Sequence, residues 1–310
     1  MRVFIVAVVS ALLSSQVSAA PAGAGRWESR APMPSLRTEV AAAAIGSNIY
    51  VVGGLVPSGV TNSVEVFEVS ANAWRRAAPM PAALHHTAAV ALGGKLFVIG
   101  GYTGAWEPVA TLYEYDPAAN RWSIRAPMPT ARGALAAVAA EGRIYAFAGE
   151  TGRGTNTAVT EEYNPETNSW RRRAPAPTAR NHLAAARAGT LIVTFAGRVG
   201  GRNLDVTERY DPRTDAWTRG TSIPTPRSGI AAAELGGLIY VFGGELERPR
   251  TFPENEAYDP AANAWSTKAP LPTPRHGLAA VTVGTRIYVI SGGPRPGGSY
   301  SDVVEAYAPD

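Results

Sequence analysis

The sequence is 310 residues long, 45% apolar and only 17% charged, the balance of a folded chain with a sizeable core rather than of a disordered one. It has no cysteine, which excludes disulfides, thiolate catalysis and Cys-bound zinc or iron–sulfur centres. The formal charge of +4 comes almost wholly from arginine, and the longest basic run is Arg171-Arg172-Arg173, too short to follow a phosphate backbone, so no nucleic acid is expected as a partner.

The first element is a processing signal. Arg2 precedes an apolar run from Val3 to Leu13 that is too short to span a bilayer, and Val17-Ser18-Ala19 has the small residues of a cleavage site. The expectation is a signal peptide over 1–19, cut after Ala19 or Ala20, and one domain over 20–310 in an exported protein, periplasmic or secreted. No other apolar segment reaches the length of a membrane span.

A strand over Arg26–Arg30 carries the first of six tryptophans, at 27, 74, 122, 170, 217 and 265, spaced 47 or 48 residues apart. Such a period marks a repeat architecture. Each period holds four short strand-like runs; in the third they are Ala134–Ala140, Arg143–Ala148, Ala158–Tyr163 and Ser169–Arg173, punctuated by Gly, Pro, Asn and Asp. Paired small residues recur at Gly53-Gly54, Gly100-Gly101, Ala148-Gly149, Ala196-Gly197, Gly243-Gly244 and Gly292-Gly293, and turns such as DPAAN (116–120) and NPETN (164–168) precede the tryptophans. The first run of each period is rich in alanine, a poor strand former, so lack of space rather than propensity sets it.

Period, Gly-Gly, Tyr-Asp-Pro and Trp together resemble the Kelch repeat over essentially the whole of the chain after residue 20. The resemblance implies an all-β, six-bladed β-propeller of four-stranded antiparallel blades. The chain starts with a Trp strand and ends where every earlier blade would proceed to one, so the N-terminal strand is expected to complete the sixth blade and close the ring. A closed ring needs no partner for stability, and a monomer is expected.

In such a ring the loops between the second and third strands share one face with the connectors between blades. The loops are long and dissimilar, as in YTGAWEPVA (102–110), ETGRGTNTA (150–158) and ELERPRTFPEN (245–255), which suits binding. The connectors repeat a phrase, PMPSLRT at 32–38, PMPTARG at 127–133 and PLPTPRH at 270–276 among them, that places Arg37, Arg132, Arg180, Arg227 and Arg275 at one position, with Leu84 in the remaining copy. All four histidines, His85, His86, His182 and His276, follow that position by one or two residues, and the loop starts add Tyr102, Glu150, Arg198 and Glu245. Trp106 stands outside the tryptophan repeat, in a loop. In related Kelch domains the Pro-x-x-Arg arginine lines the ligand pocket. The same repetition also fits a scaffold role, with Glu39, Glu150 and Glu245 as internal partners of the cations, and both readings stay open.

Two functions follow. The first is a binding module for an anionic or carbohydrate-like ligand or an acidic protein segment, with the arginines, the histidines, Tyr102 and Trp106 as its contacts. The second, from resemblance to exported six-bladed Kelch proteins, is a carbohydrate-active enzyme such as a sialic-acid mutarotase. There Arg198 or Arg132 would hold the sugar carboxylate, and Glu150, Glu245 or His182 would move protons. No cofactor is expected. The four histidines lie in three repeats without His-x-His, HExxH or calcium-loop spacing, so local spacing predicts no metal site; ligands could meet only in space.

Overall fold

The second strand of each repeat nucleates its blade. Asn48–Val52, Lys95–Ile99, Arg143–Phe147, Leu191–Phe195, Leu238–Phe242 and Arg286–Ile290 are runs of β-branched and aromatic residues, and in all six the last four residues are buried. Each pairs antiparallel with an alanine-rich inner strand on one side and a third strand on the other, and a tryptophan strand closes the outer edge. The computed structural model, which describes residues 24–246 and 250–310, is thus six four-stranded antiparallel sheets, with hairpins of two-residue strands in the loops after Gly54 and Gly197, and no helix among those residues. Hence no helix there is long and apolar enough to cross a membrane. The expected signal peptide, and Arg248 in the 245–255 loop, lie outside the described residues.

The six inner strands stand side by side in a closed circle, the last against the first. Alanines at their buried positions, such as Ala41 and Ala43 or Ala231 and Ala233, let the strands converge on the axis. Blades are joined at their outer edges by a repeated clasp. The indole N–H of each of the six repeat tryptophans donates to a carbonyl leaving the preceding blade, Trp122 to Ala78 and Trp170 to Ala126 at 2.9 and 2.7 Å. Asn168, in the turn before its tryptophan, accepts the Ala126 N–H at 2.9 Å and the Tyr163 O–H at 2.8 Å. Its φ of 50° explains the choice, since Asn tolerates the left-handed region. Asn168→Ala removes both bonds and should lower stability by about 1–3 kcal/mol, read as a lower urea midpoint with an unchanged slope.

The N-terminal strand, Arg26–Ser29, pairs antiparallel with the last strand, Val304–Ala308, and puts Trp27 opposite Tyr307. The ring therefore closes as the phase of the repeat requires. One register differs from expectation. The small pair of the sixth blade is Ser291-Gly292, at φ 60° and 103°, and not Gly292-Gly293. Serine holds the first place with its hydroxyl donating to the Arg37 carbonyl at 2.8 Å, and at the second a Cβ on Gly292 would lie 2.7 Å from the His276 carbonyl oxygen.

Candidate functional site

The connector arginines turn into the blades. Arg37, Arg132, Arg180, Arg227 and Arg275 have no exposed surface. Each guanidinium meets a glutamate that is the second residue of the third strand of its own blade: Arg37–Glu65 at 3.0 Å, Arg132–Glu161 at 2.6 Å, Arg180–Glu208 at 2.5 Å, Arg275–Glu305 at 2.8 Å, and Arg227–Glu256. The hydroxyl two residues before the arginine donates to the same carboxylate, as Thr130 does to Glu161 at 2.7 Å. In Arg132, Arg227 and Arg275 a further N–H donates to a carbonyl of the second strand, as Arg132 does to Ala146 at 3.2 Å. A guanidinium so enclosed presents nothing to a ligand, and this geometry fits the scaffold reading of the repeat. In the second blade all three members change together, to Ala82, Leu84 and Tyr113, and Leu84 and Tyr113 are buried in one apolar cluster.

The channel mouth is built by the residue two places after each arginine position. Glu39, His86, Ala134, His182, Gly229 and Gly277 all have φ between 51° and 65°. Their backbones form a girdle: the N–H of His86 donates to Glu39, Ala134 to His86, His182 to Ala134, Gly229 to His182 and Gly277 to Gly229, at 2.9–3.2 Å. Val40 N–H closes it on Gly277 at 3.4 Å. Glycine suits this conformation and occupies two of the six places. A side chain there costs about 1–2 kcal/mol, so Glu39, His86 and His182 are held against a local penalty. Beneath them the axis holds a cavity of about 80 Å³, ringed by Val40, Thr87, Leu135, Leu183, Ile230 and Leu278.

The residue one place after each arginine position pairs with a loop start, which brings the loop residues to the same centre: His85 with Tyr102, Gly133 with Glu150, Asn181 with Arg198, Ser228 with Glu245. The resulting network is continuous. Arg198 donates to Glu245 at 2.8 Å and to His182 Nε2 at 3.0 Å. His182 Nδ1 lies 2.6 Å from the Asn181 side-chain oxygen, and the Asn181 amide donates to Glu150 and Asn156. That fixes His182 as the Nδ1–H tautomer. His276 Nε2 faces two carbonyls at 3.1 Å, and its Nδ1 faces Glu39 at 3.3 Å and Glu245 at 3.5 Å, so both ring nitrogens are placed to donate. His86 lies with Nε2 3.2 Å from Glu39 and Nδ1 2.6 Å from His85 Nδ1.

Charges follow from these contacts. Burial pushes His276 down, but the Glu39 and Glu245 carboxylates raise it overall. Burial holds His86 and His182 below the ordinary range, with Arg198 adding to the effect on each. Burial and His86 push His85 down to about 4. Burial alone would raise Glu39, yet the surrounding histidines keep it well below the usual carboxylate range.

Of the proposed proton-moving groups, Glu245 is thus spent on Arg198, His276 and the Gly297 N–H, and Glu150 on Asn181 and the Gly154 N–H. Tyr102 is buried, and burial raises its phenol. Trp106 is 57% exposed, with its ring 4.5 Å from that of His85. Grooves open on either side of this centre. One, of about 570 Å³, runs between Trp106, Pro108 and Arg153; the other, of about 690 Å³, between Arg202, Leu246, Arg250 and Phe252. The sequence reading missed the five glutamates and Asn181. The signal for the glutamates was present, because hydroxyl, arginine and glutamate vanish together in the second repeat.

The family model described as the KLHDC2/KLHL20/DRC7 Kelch-repeats domain matches residues 85–293, and that of the Kelch motif matches residues 36–81. No curated protein matches the chain.

Proposed function

Since the chain belongs to the Kelch-repeat family, whose propellers suggest protein interaction, we propose that it is an exported interaction module whose loop face takes an acidic protein segment bearing apolar side chains. One observation carries this reading. Of the five large apolar side chains exposed among the described residues, Leu36, Trp106, Val199 and Leu246 lie on the loop face, and only Ile124 lies elsewhere. Apolar groups gathered on one face mark an interaction surface. Arg153, Arg202, Arg250 and Arg295 are exposed on the same face and outnumber its exposed acids Glu107 and Asp205, so the complementary partner is acidic. The leader-like N-terminus supports export. The connector arginines are paired inside their blades, so the cations open to a protein partner are those of the rim.

The test is fluorescence polarisation with a panel of labelled peptides, acidic-aromatic against charge-neutral versions of the same sequences, beside a thermal-shift screen of sialic acid, uronates and neutral sugars. Acidic peptides should bind with affinity that falls as salt rises. Trp106→Ala and Arg250→Ala should each weaken binding about tenfold or more without moving the melting temperature. Equal behaviour of acidic and neutral peptides would sink the reading, and stabilisation by an acidic sugar alone would replace it with a carboxylate-sugar pocket.

A further inference from the structure

From the girdle we propose a divalent transition-metal site on the propeller axis, with Glu39, His86 and His182 as its protein ligands. A ligand atom of each lies within 4.8 Å of those of the other two. Bonds of about 2 Å place three such atoms about 3.0–3.6 Å apart around one ion, so the set closes when the three side chains together draw in by about 1–2 Å. Two imidazoles and one carboxylate suit zinc, cobalt, nickel or ferrous iron, and not the all-oxygen shells of calcium or magnesium.

Donor and acceptor bookkeeping calls for a cation there. His85 Nε2 lies 3.1 Å from the Thr103 carbonyl, so it carries the hydrogen, and His85 Nδ1 in the neutral ring is an acceptor. The 2.6 Å contact then needs a hydrogen on His86 Nδ1. That leaves the His86 Nε2 lone pair facing a Glu39 carboxylate oxygen at 3.2 Å, two acceptors with nothing between them. His182 has the same polarity, its Nδ1–H spent on Asn181 and its Nε2 lone pair free to accept. Both imidazoles therefore have one N–H anchored and a lone pair on the other nitrogen, that of His182 accepting from Arg198, the arrangement by which neighbouring groups orient metal-bound histidines. The second Glu39 oxygen is held by His276. Arg198, now donating to His182 Nε2, is a cation in the ligand's place; it is 22% exposed and must swing outward for the metal to bind. The axial cavity below has room for a metal-bound water. Such a site gives a role to three of the four side chains kept where glycine would be easier, Ala134 being the fourth.

The test is calorimetric titration of the full chain, freed of any tag and of bound metal, with Zn²⁺, and a Co²⁺ visible spectrum. One equivalent should bind, with the intense visible bands of low-coordinate cobalt. Glu39→Gly, His86→Gly and His182→Gly should each weaken binding by about 100-fold or more, and Asn181→Ala by about 10–100-fold. The glycine variants copy the fifth and sixth blades, so the fold should persist, checked by an undiminished melting temperature. No stoichiometric binding would show that a proton alone bridges His86 and Glu39. Binding that survives the glycine substitutions would place the metal elsewhere. Either overturns the proposal, and neither bears on what the rim binds.

Discussion

Glu161→Gln is expected to destabilise the propeller by about 3–5 kcal/mol, because it leaves the fully buried Arg132 guanidinium without its counter-charge. Arg132→Ala should do the same from the other side by stranding the Glu161 carboxylate. The second blade shows what removes the penalty. Its Ala82, Leu84 and Tyr113 occupy the places of threonine, arginine and glutamate, and pack as part of an apolar cluster. Transplanting that set as Thr130→Ala, Arg132→Leu and Glu161→Tyr should restore stability to within about 1 kcal/mol of the parent or exceed it, since an apolar set can replace a buried ion pair at no net loss. Urea unfolding of the three variants decides the point. If Glu161→Gln unfolds at the parent midpoint, the pair carries little of the blade's stability.

The same arginines show what a repeated sequence reveals. Period, strand order and closure were legible because they depend on the spacing of Trp27 and its copies, on alanines that must fit near an axis, and on chain phase. Which way a side chain turns at the mouth of a strand is not set by spacing. Arg132 lies on the loop side of its blade, yet its partner, Glu161, is 29 residues away in the third strand of the same blade. Only the joint loss of hydroxyl, cation and carboxylate in the second repeat points to that pairing.

The channel mouth was legible in part. Histidines clustered after one repeated position had to share a face, and the loop starts had to meet them. Their convergence on Glu39 depends on a left-handed residue at each inner-strand start, which aims Glu39, His86 and His182 at the axis from three blades. Ligands separated by 47 and 96 positions leave no local pattern of the kind that announces metal sites in sequence.

Deletion of residues 24–30 is expected to lower the melting temperature more than any single substitution discussed above. The strand Arg26–Ser29 supplies the outer edge of the sixth blade, and Trp27 packs its indole against Phe242 and Tyr307, with ring centroids 5.7 and 5.1 Å away. Its indole N–H donates to Ala269 at 3.0 Å, which ties the sixth blade to the fifth. The segment just before it adds the Ala24 carbonyl, which accepts from the Tyr307 hydroxyl at 2.6 Å and from the Ala269 N–H at 2.8 Å. Losing a packed tryptophan alone costs about 3–5 kcal/mol. Losing the strand as well exposes the edge of Val304–Ala308 to water and to other copies of the chain. Trp27→Ala, which keeps the strand, should fall between parent and deletion in a thermal melt, and the deletion alone should aggregate as it unfolds. A deletion variant that melts within a degree or two of the parent would mean that blades one to six close without this strand, and that Trp27 is a surface residue of no structural consequence.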